Sequence, residues 1–315
     1  MTITWFLLTG VFFAAYVLLD GLVTGTAILH GRVGPGERAR RATLTAFGPF
    51  FMASEVWLVV TAATLAATFP AAAHAIYASQ TPLLVLLIVA WLVRDGAIWL
   101  RGRLAGAAWR AWWDRALGVA GLVLAATVGM LLGNLLTGRA AGGGPYLSWY
   151  ALPWAVVMAS LFALHGAVFL AVRLPEDLAE RPVRLVRRCA PAVGAAHAAL
   201  LLLGPLTQPA MRASGPLAWS LAVAAVGAAA LIGAGRLVAA RPRAALALTG
   251  LAPAGLVPVV GMVLWPVAEA GPAGAEALWS LFRLVIVVLV AVVAAQCWLW
   301  WTFLRRLDDR SAVWF

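Results

Sequence analysis

The chain has 315 residues, 64% of them hydrophobic and 11% charged, with a mean hydropathy of +0.95. That balance excludes a soluble globular core of this size and points to a chain whose solvent is mostly lipid. The net charge of +11 comes from arginine without a single lysine, and because those arginines sit beside the ends of apolar stretches they are suited to anionic headgroups rather than nucleic acid.

Nine apolar stretches follow one another at roughly 4–29, 45–69, 79–100, 115–137, 149–172, 189–206, 216–240, 243–266 and 278–304, each about long enough to cross ~30 Å of hydrocarbon as a helix. Met1 to Phe6 carry no positive n-region, so the first stretch is expected to stay as a transmembrane helix. The first loop holds Arg32, Arg38, Arg40 and Arg41, whereas the second holds no base. Arg101, Arg103, Arg110 and Arg115 lie in the third, and Arg139 alone in the fourth. The fifth has Arg173, Arg181, Arg184, Arg187 and Arg188, the sixth only Arg212. Arg236, Arg241 and Arg243 fall in the seventh, none in the eighth, and the tail ends with Arg305, Arg306 and Arg310. By the positive-inside rule the odd loops and the C-terminus are cytoplasmic and the N-terminus is outside. The expected architecture is an all-α integral membrane protein, a single polytopic domain over 1–315. Its two four-helix groups begin on the same side, and a ninth helix is extra. The longest expected cytoplasmic loop, Leu174 to Arg188, is too short for a domain.

Sixteen tryptophans accompany these spans, and indoles collect at the headgroup level because they are apolar at one end and polar at the other. Trp5, Trp149, Trp154, Trp265 and Trp279 are expected toward the outer surface. Trp109, Trp112, Trp113, Trp298, Trp300 and Trp301 are expected toward the inner one. Gly129 and Gly133 form a GxxxG that would let helix backbones approach closely. Cys189 and Cys297 fall near the cytoplasmic ends of their spans, where no disulfide is expected, and match no metal spacing.

The informative residues are those that lipid does not tolerate. Asp20 sits in the first span and Glu55 near the middle of the second, neither with a counterion within a turn. They are candidates for a proton path or a polar network. Arg94 and Asp95 lie in the inner third of the third span and read as a snorkelling end pair, while Arg283 lies one to two turns into the last span. His165 and His197 lie on separate spans; they would serve either as a bis-histidine haem pair or as satisfied core histidines.

Order along the first third adds something that composition does not. Leu19-Asp20-Gly21-Leu22 comes first, then Glu37-Arg38 with Arg40-Arg41. Gly48-Pro49 is followed by Ser54-Glu55-Val56-Trp57-Leu58, and further on come Arg94 to Arg101, Trp113-Asp114 and Gly133-Asn134-Leu135-Leu136-Thr137-Gly138. This series, over roughly residues 5–140, resembles subunit II of the cytochrome bd-type quinol oxidases. That family carries an LDGFDLG-like motif, a loop ending in ERR, a GPxWDGNEVWL segment, a later Arg, a Trp-Asp pair and a GNLLxG segment. The resemblance implies structural roles for Gly21, Gly48, Pro49, Arg94, Arg101, Asp114 and Asn134, and an oxygen-access role for Trp57.

The same resemblance implies a heterodimer in the bacterial cytoplasmic membrane. Subunit I would carry haems b and d and oxidise the quinol, and this chain would hold no haem, stabilise its partner and contribute proton or oxygen access. Whether a quinone binds structurally in this chain is left open. The departures matter too: the family's second aspartate of LDGFDLG falls at Val23, the aspartate of WDGNE at Met52, and an acidic residue late in the third span at Trp99. Val, Met and Trp hold no exchangeable carboxyl proton. Two other functions fit a polytopic chain. A transporter is suggested by Pro253 and Pro258 with Gly250, Gly255 and Gly261 in span eight, and a structural subunit of another membrane complex is the third reading.

Overall fold

A computed structural model of the chain describes residues 1–139, 147–215 and 217–308; Arg310 of the basic tail lies outside them. The helices are α1 (Thr2–Leu29), α2 (Gly36–Phe47), α3 (Phe51–Thr68), α4 (Pro70–Leu100), α5 (Ala107–Leu136) and α6 (Ala151–Arg173). They continue with α7 (Glu176–Thr207), α8 (Pro209–Ala213), α9 (Leu217–Leu237), α10 (Pro242–Glu269) and α11 (Ala275–Phe303). Among the described residues, nine of these helices are long and apolar enough to cross a membrane, α2 and α8 being the short exceptions.

Several boundaries depart from expectation for local reasons. The loop expected between spans two and three is absent, because α3 ends at Thr68 and Pro70 already opens α4. Phe69 sits between them at φ −133°, ψ 65°, as a residue preceding proline is driven out of the helical region while proline itself suits the first helical position. The expected loop from Leu174 to Arg188 is mostly helix. Pro175 caps α7, and Glu176 and Asp177 in its first turn complement the helix dipole, so the helix begins well before its apolar part. Span eight is not broken: α10 runs unbroken through Pro253 and Pro258, which removes the feature that suggested a transporter.

Each group of four spans closes on itself. In the first, α1 packs on α3 and α5, and α4 bridges α3 and α5; in the second, α6 packs on α7 and α10, and α9 bridges α7 and α10. The groups meet along α1 and α6, with α5 against α6 and α10 against α1 completing the seam. Helix α6 is therefore central, with 83% of its apolar window buried, whereas α11 is peripheral, with 6%.

The seam is tight because glycines face it. A Cβ placed on Gly25 would lie 1.7 Å from the Phe162 carbonyl oxygen, and one on Gly166 would lie 2.3 Å from the Gly25 backbone. The Gly129/Gly133 pair acts likewise between α5 and α6: a Cβ on Gly129 would stand 2.2 Å from the Trp154 carbonyl oxygen. Small residues permit this approach where lipid offers no hydrophobic drive for helices to associate.

Two of the tryptophans expected toward the outer surface are covered by neighbouring helices instead of being exposed there. Trp5 and Trp154 are fully buried, and Trp5 donates its indole N–H to the Leu278 carbonyl at 3.1 Å, tying α1 to α11. Trp112, Trp149, Trp279, Trp298 and Trp301 are exposed, as interfacial anchoring requires.

Candidate functional site

Three turns of three helices bring the intramembrane charges together. Arg94 on α4 is fully buried, and its Nη1 donates to Asp20 Oδ1 on α1 at 2.7 Å and to Thr24 Oγ1 at 2.8 Å. Its Nη2 donates to Glu55 Oε1 on α3 at 2.5 Å, and its Nε to Asp95 Oδ1 at 3.1 Å. Thr24, one turn after Asp20, donates a hydrogen bond from its hydroxyl to Asp20 Oδ2 at 2.9 Å, while Ser54 Oγ lies 3.1 Å from Asp20 Oδ1. A guanidinium offers five donors in a fixed fork and suits such a many-sided contact better than an ammonium.

Arg94 is thus no snorkelling end residue. The sequence pairs it only with its neighbour Asp95, but the helix packing turns it inward, where it is the counterion that Asp20 and Glu55 lack on their own helices. Exposure grades the cluster: the side chains of Arg94 and Asp20 are 0% and 1% exposed, those of Glu55 and Asp95 13% and 21%. Asp20 and Arg94 form a sealed pair, and the other two carboxylates form a rim opening toward the outward surface of α3 and α4. Thr24 and Ser54 were not singled out by sequence reasoning; the i, i+4 spacing of Asp20 and Thr24 was the available signal.

Above one flank of the cluster lies an apolar cavity of about 580 Å³ between α1, α3, α4, α5 and α10. Tyr16, one turn before Asp20, and Trp91, one turn before Arg94 and Asp95, line its near end, and Phe6, Thr61, Leu87 and Leu264 line its walls. Trp57 is buried beside this region, its ring centroid 6.0 Å from that of Phe12.

A second charged network closes the arginine-rich end. Arg101, 2% exposed at the side chain, donates from Nε to Asp114 Oδ1 at 2.5 Å and forks onto Glu37 with bonds of 3.1 and 2.9 Å. His30 Nε2 donates to Asp114 Oδ1 at 2.6 Å, the carboxylate being an acceptor, and Arg40 approaches its other oxygen at 3.4 Å. The hydrogen bonds from Arg101 hold the Glu37 carboxyl below its ordinary value of 4.5, and Arg41 adds to the effect. This clasp joins the end of α1, α2, the end of α4 and the start of α5. Gly48 and Pro49 form the turn between α2 and α3, and Gly21 lets Phe162 approach, since a Cβ there would meet its ring at 2.9 Å. At the opposite end Asn134 donates to Gln80 Oε1 at 2.9 Å and accepts from Ser148 at 3.3 Å.

The histidines do not make a haem site. His165 Nε2 donates to the Leu18 carbonyl at 3.1 Å, which leaves Nδ1 of the neutral ring to accept from Thr249 at 2.8 Å. His197 lies on α7 against Trp154 and α9, where a Cβ on Gly227 would stand 3.1 Å from its Nε2. His165 has both ring nitrogens engaged and so offers no free lone pair to a haem iron, which removes one half of the bis-histidine pair. Among the described residues no group of three or more His, Cys, Asp or Glu could hold a metal ion.

A family model described as cytochrome bd terminal oxidase subunit II matches residues 1–303. The chain is similar to cytochrome bd ubiquinol oxidase subunit 2 of Bacillus subtilis, with 26% identity over 58% of this chain and 57% of that one. It is also similar to cytochrome bd-I ubiquinol oxidase subunit 2 of Escherichia coli K12, with 24% identity over 55% of this chain and 49% of that one. The matched region thus spans about half the length of these relatives. In fold, a chain from the structure of bd oxidase from Geobacillus thermodenitrificans superposes with a TM-score of 0.72 over 96% of this chain and 98% of that one, at 14% identity.

Proposed function

Because the chain belongs to the cytochrome bd terminal oxidase subunit II family, we propose that it is the non-haem subunit of a quinol:oxygen oxidoreductase in a bacterial cytoplasmic membrane. Its partner is a haem-bearing subunit I, and the arginine-rich end of the bundle faces the cytoplasm. The observation that carries the reading is the family match, which runs through all nine spans. Redox chemistry belongs to haems in the partner, and this chain contributes geometry, solvation and access.

Within that role, the rim of the ion cluster is the part suited to handling protons. Three carboxylates share one guanidinium, and a carboxylate in excess of its counterions can take up and release a proton, which an evenly matched pair does not do readily. Asp20 holds Arg94 in place, and Glu55 and Asp95, at the rim, exchange protons with water or with the partner. The cavity of about 580 Å³ suits an apolar guest, either oxygen on its way to the partner or the isoprenoid tail of a structural quinone, with Trp57 shaping its surroundings.

The family carboxylates missing from this chain fit the same picture. Met52 and Trp99 are 60% and 50% exposed on the α3–α4 surface, so those exchanges alter a face that subunit I would cover rather than the interior. Only Val23 is internal, at 0%.

The test is to co-express this chain with a subunit-I gene, purify through a tag on this chain alone, and record a reduced-minus-oxidised spectrum with quinol-driven oxygen uptake. Haem bands and oxygen uptake in the pair, absent from this chain alone, are expected. A stable, haem-free protein that captures no such partner would overturn the reading.

A further inference from the structure

At the arginine-rich end, the turn between α9 and α10 and the C-terminal tail enclose a cleft of about 490 Å³. Arg241 and Arg243 enter from the turn and the first residues of α10, and Arg306 from the tail. Neither Arg241 nor Arg243 has an ion-pair partner among the described residues. Arg306 has one, Glu176, at 2.9 Å, but that carboxylate is 90% exposed and such a surface pair is weak enough to be exchanged. The remaining lining is apolar, from Val172, Ala240, Pro242 and Ala244.

The backbone adds to the positive character. Ala245 N–H to the Arg241 carbonyl, at 3.0 Å, is the bond that opens α10. The N–H groups of Arg243 and Ala244 precede it, and Pro242 has none. The open end of a 28-residue helix thus lies among three guanidinia from two separate segments. Like charges held around an apolar-floored cleft are mutually unfavourable unless an anion joins them. The exposed indoles of Trp298 and Trp301 lie near the same end of α11, and exposed indoles mark the headgroup level.

We propose that this cleft binds a phosphate-bearing anion: Arg241, Arg243 and Arg306 grip the phosphate oxygens, and the apolar lining receives the adjoining carbon skeleton. The headgroup of an anionic phospholipid has both parts at the right depth, and a soluble phosphate compound has the first. The site does not depend on the oxidase reading, since it involves neither the ion cluster nor the α3–α4 surface.

Native mass spectrometry of the full chain in detergent, titrated with phosphatidylglycerol or zwitterionic phosphatidylcholine, tests it. Phosphatidylglycerol is expected to bind in preference, and R241Q/R243Q to weaken it by roughly tenfold or more, from about one unit charge interaction lost per arginine. The control R103Q/R115Q removes equal charge from the same end, at exposed residues outside the cleft, and is expected to leave binding unchanged. Inorganic phosphate that displaces the lipid from the parent chain but has no effect on R241Q/R243Q would support the phosphate site and identify a soluble ligand as a competitor. Equal binding of the two lipids, or equal loss in both double variants, would overturn the proposal, and unchanged melting temperatures for both variants separate these outcomes from misfolding.

Discussion

Arg94 on α4 reaches Asp20 on α1, 74 positions away in sequence, to form a 2.7 Å ion pair in which neither side chain is more than 1% exposed. Removing one member of such a pair leaves an uncompensated charge in a dry interior. Arg94→Gln is therefore expected to destabilise the bundle by about 3–5 kcal/mol. Asp20→Asn should cost less, because Arg94 keeps Glu55 and Asp95. Thermal unfolding of the detergent-solubilised chain measures the order; equal losses would mean that Glu55 and Asp95 do not compensate Arg94 once Asp20 is neutralised.

Glu55 stands at the rim with 13% of its side chain exposed, and the amide of Glu55→Gln can still accept the Arg94 hydrogen bond. Assembly is expected to be unchanged while quinol-driven oxygen uptake falls by about tenfold or more, the scale of a lost proton-transfer group. Turnover equal to that of the parent complex would remove Glu55 from proton handling.

The α1–α6 seam predicts a sharp contrast among glycines. Gly25→Ala and Gly166→Ala place a Cβ 1.7 and 2.3 Å from backbone atoms, and backbone cannot swing aside as a side chain can. Each is expected to lose at least 1–3 kcal/mol, roughly the cost of overpacking. Gly31→Ala has nothing within 4 Å and should melt like the parent.

The Glu37–Arg101 clasp has a defined pH signature. The hydrogen bonds from Arg101 lower the Glu37 carboxyl below 4.5, so its stabilisation is full above that value and fades as pH falls through the lowered one. The melting-temperature difference between the parent chain and Glu37→Gln should therefore stay constant from about pH 8 to about pH 5 and close only in stronger acid. A difference that closes near neutrality would remove Glu37 as the group that carries the effect.

Trp57 packs on Phe12 at 6.0 Å between ring centroids. Trp57→Ala opens space beside the apolar cavity and is expected to raise the oxygen concentration needed for half-maximal uptake, while Trp57→Phe keeps an aromatic ring against Phe12 and shifts it less. An unchanged oxygen dependence in both would leave the ring as packing alone.

Span number and the grouping into four and four plus one were legible because membrane helices announce themselves by length and hydropathy. Helix ends were less legible. The start of α7 lies in charged sequence that reads as loop by hydropathy, and only Pro175 with Glu176 and Asp177 marks it. Asp20 and Glu55 stood out as charges in apolar runs, but their counterion did not, because Arg94 reads as a near-terminal residue until α4 is laid against α1 and α3. The buried Trp5 and Trp154 show the same limit from the other side: composition places an indole at a membrane surface, and only packing reveals which ones the neighbouring helices cover.

Arg173 makes the last part of the chain a condition for the first. Its buried guanidinium has no carboxylate partner among the described residues; it donates instead to the carbonyls of Ala46, Phe303 and Arg305, and lies over the Phe50 ring. During synthesis the α2–α3 turn and α6 emerge long before residues 303–305, so this cation waits with its coordination incomplete until the ninth span has been inserted. A chain stopped short of Phe303 would leave a buried charge facing too few acceptors. The segment after the ninth span is in this sense part of the coordination of a cation at the centre of the bundle, and tethers the peripheral α11 to α6.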